Sequence, residues 1–312
     1  MGNIHAKCLA LMIPNIANHS NSIFHYTTPL GLKNILESQS LWFSNIKYLN
    51  DKEELLYTEL LSKNIAMELY KHDQSDFLKE ISNENLKLHE ICFPPEAYII
   101  KETGESNEFM RNKLNQALKF VACFSKNRDS LSLWNYYTKN PENIGYNIEF
   151  AYEGLFSSLI KSSSVGINMG CVIYDLALQT KLIKKAIIEY NEAYKNCRNE
   201  KEKIECKISY WYLIDDFSVF FKHSAFSAEE EIRMILDYSR DLKPPFDKIK
   251  FRECKGFFIP YTELSFEKKC VKSITISPTQ KQEIAVNSIE FLKDCLGYSN
   301  VNFNKSKIPL RY

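Results

Sequence analysis

Ile23-Phe24-His25-Tyr26-Thr27 is a short apolar and aromatic run with one imidazole at its centre. Side chains alternate across an extended backbone. The run therefore reads as a strand that sends Phe24 and Tyr26 to one face and His25, with Ile23 and Thr27, to the other. Thr28-Pro29 follows. A proline suits the first turn of a helix, where its missing N–H costs nothing, and Leu32, Ile35 and Leu36 then share one side. A second run, Leu41-Trp42-Phe43-Ser44-Asn45, completes a strand–helix–strand start. This window leaves two readings of His25 open, a hydrogen-bonded core or edge histidine and a catalytic one.

Working outward, Asn50 or Asp51 suits the cap of a long helix running to about Tyr70, with Glu53 and Glu54 against the positive end of its dipole. A polar, helix-favouring stretch spans Asp76 to Glu90, breaks at Phe93-Pro94-Pro95, and precedes another helix over Ser106 to Leu118. Strand patterns return at Phe120–Ser125, Gly145–Phe150, Gly170–Tyr174, Glu231–Leu236, Gly256–Pro260 and Val271–Ile276, with a helical turn holding Trp134, Tyr136 and Tyr137. Residues 176–221 read as two helices broken near Asn196 to Asn199. A last helix is predicted from Ser277, as cap, with Pro278 first, to about Cys295. Strands and helices alternate irregularly, and several strands follow one another with no crossover helix, so the pattern favours α+β over a doubly wound sheet.

Composition narrows the function classes. The chain has 312 residues, 45% of them hydrophobic and 13% aromatic, as in a globular protein. Forty Lys and Arg against 39 Asp and Glu give a formal charge of +1, which supplies no overall attraction to nucleic acid or anionic membrane. The nine cysteines are scattered, without a C-x-x-C pair. That argues against a disulfide framework or zinc knuckle and for a reducing compartment, so a cytoplasmic location is expected. The apolar run Cys8–Ile13 is too short for a signal peptide, Ala6 breaks the myristoylation pattern, and no stretch nears ~18 apolar residues. Residues 1–20 read as a loose N-terminal arm.

Generic catalytic motifs are missing. There is no Walker loop, G-x-G-x-x-G, H-E-x-x-H or G-x-S-x-G. The six histidines lie far apart, so no metal is expected. Cys123, inside an apolar strand, reads as a small buried hydrophobe. The densest polar chemistry is Phe221 to Arg233, where three glutamates feed a strand. If Glu229, Glu231 and Arg233 alternate along extended backbone, all three point the same way. Arg233 would then hold one carboxylate and leave the other to act. The alternative is a surface salt bridge at a strand entrance.

Several short signatures, in order, resemble a bacterial domain-of-unknown-function family, DUF2971. They are His25-Tyr26-Thr27 on a first strand, Ser44 on a second, and the pair Asn50-Asp51, with Lys52 where the family usually has Pro. Cys123-Phe124-Ser125 follows, with Trp134 and Tyr137 downstream, then the Gly-led strand from Gly145 to Phe150. Lys222, Phe226, Glu229, Glu231 and Arg233 match a Lys-x-x-x-Phe-x-x-Glu-x-Glu-x-Arg element, and Ser306 to Arg311 is similar to the family's ending. The layout is also similar to that of ADP-ribosyltransferases of the His-Tyr-Glu kind.

The resemblance implies one α+β domain over 21–312 with a central split, mainly antiparallel sheet and helical elaborations near 51–118 and 176–221. It further implies an NAD-using enzyme of bacterial anti-phage or toxin-type defence that modifies a protein or nucleic-acid acceptor. Cleaving the nicotinamide–ribose bond builds positive charge on the sugar, and a nearby carboxylate stabilises it. Glu231 is the first candidate for that carboxylate and Glu229 the second. His25 would fix the dinucleotide, with Thr27, Ser44 and Asn50 lining the same site, and Tyr26, Trp134 and Tyr137 would wall a flat ring. Arg233 would orient the glutamate or meet a phosphate. Two other classes stand beside this one: a nucleic-acid-acting defence effector using His25, Glu231 and Lys222, and a non-catalytic module sensing a nucleotide or phage protein.

Overall fold

The computed structural model describes residues 21–48, 53–83, 85, 88, 118–138, 144–238, 246–254, 256–279 and 282–309. The N-terminal arm, the Asn50-Asp51 cap and most of the expected Ser106–Leu118 helix lie outside the described residues. The chain groups into two compact units. One draws on 46–118 and 172–226, the other on 15–45, 119–171 and 227–312.

The first unit is helical: α2 (Glu53–Tyr70), α3 (Asp76–Ile81), α6 (Leu176–Lys195) and α7 (Glu200–Phe220). The expected break between the last two falls at 196–199. There Asn199 caps α7, its Oδ1 accepting from the Glu202 amide at 2.9 Å. Asp175 does the same for α6 through the Leu178 amide at 2.6 Å. Aromatic packing holds the bundle: the Phe77 ring lies 5.4 Å from those of both Tyr194 and Tyr210, and the Tyr210 and Ser62 hydroxyls meet at 2.6 Å.

The second unit carries the sheet. Its strands are β1 (Ser22–Thr27), β2 (Ser40–Asn45), β3 (Lys119–Ser125), β4 (Tyr146–Ala151), β5 (Ile167–Cys171), β6 (Glu231–Asp237), β7 (Lys250–Cys254), β8 (Phe257–Ser265), β9 (Val271–Ile276) and β10 (Asn302–Lys305). Its helices are α1 (Pro29–Ser38), α4 (Leu131–Thr138), α5 (Tyr152–Ser162) and α8 (Gln282–Leu296). Among the described residues the strands form one sheet in the order β10-β9-β4-β1-β3-β2-β8-β7, with β6 paired to β3 and β5 to β6. All pairs are antiparallel except β10 with β9, which α8 joins as a crossover. The fold is therefore α+β, with a mostly antiparallel sheet.

The sheet divides at β3. β6 runs along one edge of β3 from Lys119 to Ser125. β1 and β2 share the other edge, β1 meeting it at Ser125 and β2 at Phe120 and Val121. Ile23, Phe43, Phe120, Ile148, Phe150 and Ile274, fully buried, fill one face. α1 starts as its sequence dictates: Thr28 Oγ1 accepts from the Gly31 amide at 3.2 Å, and Pro29 takes the first turn.

Several details depart from the sequence reading. α8 starts at Gln282, not after Ser277, because Ser277 extends the β9 ladder: its amide donates to the Gly145 carbonyl at 3.0 Å and its hydroxyl accepts from the Gly145 amide at 2.9 Å. Extended backbone begins at Glu231. Residues Ser224–Glu229 form a tight helical turn and Glu230 has φ +44°, so Glu229 does not alternate with Glu231 and Arg233. β7, β10 and α5 had no clear local signal.

Candidate functional site

Strand register decides which candidate side chains meet. Phe24 lies across from Ser125, and Ser125 across from Glu231. Paired residues share a face, so Phe24, Ser125 and Glu231 form one row, with Tyr26, Cys123 and Arg233 in the next row on that face. His25 falls one position out of step. Its β4 partner is Ile148, and it shares the opposite face with Phe124, whose ring centroid is 5.5 Å away. The expected convergence of His25 and Glu231 in one hollow is therefore corrected: the strands send them to opposite faces.

His25 occupies the division in the sheet. β1 and β3 part after the Phe24–Ser125 pair, and the imidazole reaches into the gap, with Nδ1 at 2.9 Å from the Cys123 carbonyl oxygen. A carbonyl only accepts, so Nδ1 carries the proton and Nε2 holds the lone pair of the neutral ring. Burial lowers its pKa from the ordinary 6.5, partly opposed by the Cys123 carbonyl.

Tyr26 and Trp134, expected as walls for a flat ligand, are core residues at 3% and 1% exposure. Their rings meet edge to face at 4.7 Å, with Phe24 in the same cluster. Their polar atoms are engaged internally. Tyr26 donates to the Asn127 carbonyl and accepts from the Ser130 amide, both at 2.9 Å, and Trp134 Nε1 donates to Asp129 Oδ1 at 2.7 Å. Tyr137 is only partly buried, and its ring stacks beside Tyr26 at 6.1 Å. Burial, then the Cys123 thiol, Tyr136 and the Glu231 and Glu229 carboxylates, push its phenol far above the usual range. Tyr137 is thus a proton-bearing donor at neutral pH.

Glu231 and Arg233 meet at 2.9 Å, with side chains 9% and 1% exposed. The carboxylate segment is braced from one side. Ser125 Oγ donates to the Glu229 carbonyl at 2.7 Å, the Lys126 amide to the Glu230 carbonyl at 3.0 Å, and Asn127 Nδ2 to Glu230 Oε1 at 3.3 Å. Glu230 itself is exposed and left-handed, a conformation that costs a side-chain-bearing residue energy.

The remaining candidates scatter. Thr27 is buried on the His25 face, where its hydroxyl fills the space a Cβ on Gly31 would need. Ser44 shares the Glu231 face, but two rows beyond it, accepting from Arg252 Nη2 at 3.4 Å. Lys222 belongs to the helical unit, its ammonium 4.7 Å from the Phe226 ring centroid. Asn50 lies outside the described residues.

Two residues were missed in the sequence. Glu149, on the Phe24 face, accepts from Ser22 Oγ at 2.7 Å, Ser273 Oγ at 2.6 Å and Arg128 Nη2 at 2.7 Å, joining β1, β4 and β9. Although burial pushes its carboxyl up, these hydrogen bonds and the charges of Arg128 and Lys272 hold it below the ordinary value. Asp129, the second, ties three groups together: the Trp134 indole, the Ser306 hydroxyl at 2.7 Å and the Lys307 amide at 2.9 Å. The Asn-x-Asp-Ser turn chemistry at 127–130 was its only signal. Among the described residues, no three or more His, Cys, Asp or Glu side chains are grouped to hold a metal ion, and no helix is long and apolar enough to cross a membrane.

Compared with known families, residues 133–234 match the family described as "Protein of unknown function (DUF2971)". The matched stretch includes Trp134, Tyr137, Glu229, Glu231 and Arg233; His25, Ser44 and Asp129 precede it. Comparisons with curated proteins and with solved structures find no match.

Proposed function

We propose that the sheet unit belongs to an ADP-ribosyltransferase-like enzyme of bacterial defence, of anti-phage or toxin type. It takes NAD as substrate and transfers the ADP-ribosyl group to a protein or nucleic-acid acceptor. The supporting observation is the Glu231 carboxylate, nearly buried, oriented by Arg233 at 2.9 Å, and on the sheet face that also carries Cys123. As the nicotinamide–ribose bond breaks, its electron pair leaves with nicotinamide and positive charge grows on the ribose. A fixed carboxylate in a site of low dielectric opposes that charge without forming a bond. The acceptor's lone pair then bonds to the ribose carbon and its proton passes to solvent or to Glu229. Tyr137, which keeps its phenolic proton, donates a hydrogen bond to the substrate in this reading. His25, on the other face, supports the Cys123 peptide in this reading and does not clamp the dinucleotide.

The full chain incubated with NAD should release nicotinamide, followed by chromatography. Glu231→Gln should lower the rate by about 10²–10³, the scale of one electrostatic group. Equal rates for wild type and variant, or no turnover at all, would remove the reading. The Glu231–Arg233 ion pair favours a second one, because a neutralised pair suits recognition as well as catalysis: a non-catalytic nucleotide sensor. Calorimetric binding of NAD without nicotinamide release would favour it.

A further inference from the structure

Asp129 stands outside the proposed chemistry, yet its carboxylate gathers hydrogen bonds from α4 and from the chain after β10. Its Oδ1 accepts from Trp134 Nε1 and from Ser306 Oγ, both at 2.7 Å, and its Oδ2 from the Lys307 amide at 2.9 Å. Ser306 Oγ in turn accepts from the Ile308 amide at 3.1 Å, and Ile308 packs on the Phe24–Tyr26–Trp134 cluster. One carboxylate therefore clips the 306–308 segment over the aromatic core. The same residue belongs to the loop that braces the glutamates. Its amide donates to Asn127 Oδ1 at 3.0 Å, the side chain whose Nδ2 reaches Glu230. Next to it, Ser130 Oγ donates to the Ala228 carbonyl at 3.4 Å, and Tyr26 holds the loop from beneath.

We infer that Asp129 is a positioning residue: by clipping residues 306–308 onto the aromatic cluster it fixes the 126–130 loop, and through it the Glu229–Glu231 segment. This inference rests on the reading of Glu231 as the working carboxylate, and deepens it by naming what sets that carboxylate's place. The segment from Ala228 to Glu230 makes a tight turn with a left-handed residue, so its geometry depends on outside support. The four contacts from Ser125, Lys126, Asn127 and Ser130 supply that support.

Two variants of the full chain test this. Asp129→Asn keeps an oxygen for Trp134 and Ser306 but presents an amide to the Lys307 N–H. Ser306→Ala leaves Asp129 intact and removes one grip on the strap, which keeps the test open should the first variant fail to fold. Amide hydrogen exchange read residue by residue is expected to rise about tenfold at Lys307 and Ile308 in both variants, and to rise with it across 126–130 and 229–231. Where wild type releases nicotinamide, kcat should fall with KM unchanged. Faster exchange confined to 307–308, or none anywhere, would overturn the inference. The exchange result stands apart from turnover: a chain that ignores NAD would sink the transferase reading, while the exchange pattern across 126–130 and 229–231 still supports or overturns the clip.

Discussion

At the scale of single residues, Arg233 and Glu149 carry the clearest expectations. Arg233 is almost wholly buried against Glu231, and removing one member of such a pair leaves an uncompensated charge. Arg233→Met should cost about 3–5 kcal/mol in urea unfolding, and the double variant with Glu231→Gln should recover part of that loss. Glu149 predicts a pH dependence. Its folded pKa lies below the ordinary 4.5, so its contribution to stability is present above that value and is lost as pH falls through it towards the folded pKa. Urea midpoints measured from pH 7 down to pH 3 should drop more steeply for wild type than for Glu149→Gln; parallel curves would contradict the assignment. The Arg233 pairing was legible as alternation along one strand, whereas the role of Glu149 was not. Glu149 looked like one polar residue in a strand, because Ser22, Arg128 and Ser273 come from distant parts of the chain and only pairing brings them to it.

At the scale of elements, local signals held where local physics decides. Thr28 and Pro29 start α1, and Asn199 caps α7 at the expected break. Strand faces were harder, since a one-residue difference in register reverses which side a chain presents. The alternation of His25 against Phe24 and Tyr26 was visible; that Glu231 would side with the aromatics and not with the imidazole depended on β3 lying between them. Short strands of mixed polarity such as β7 and β10 gave no period to read. The junction of β1 and the 126–130 loop offers a direct test. Tyr26→Phe strips the Ser130 amide of its acceptor, and a buried donor left without one costs about 1–3 kcal/mol. A midpoint unchanged from wild type would show that the loop is held by other contacts.

At the scale of the whole molecule, both units are closed by contacts between distant parts of the chain. In the helical unit the Ser62 and Tyr210 hydroxyls meet across 148 residues, and in the sheet unit β2 pairs with β8 across some two hundred. Non-local pairing slows folding because loop closure comes before the contacts that reward it. Trp211 lies in the helical unit, and Trp42 and Trp134 in the sheet unit. Refolding followed by Trp211 alone, with the other two replaced by Phe, should therefore be no faster than refolding followed by Trp134 alone. A Trp211 phase clearly ahead of the Trp134 phase would mean that the helices close without waiting for their distant partners.

The interleaved strand order also bears on synthesis. β1 and β2 leave the ribosome first, yet neither is the other's neighbour; β1 waits for β3 and β4, β2 for β3 and β8. At translation speeds of about 5–20 residues per second, β2 spends on the order of tens of seconds with one edge open. Nascent chains stalled before residue 257 should for that reason be captured by chaperones that recognise extended apolar segments, and released once β8 has emerged.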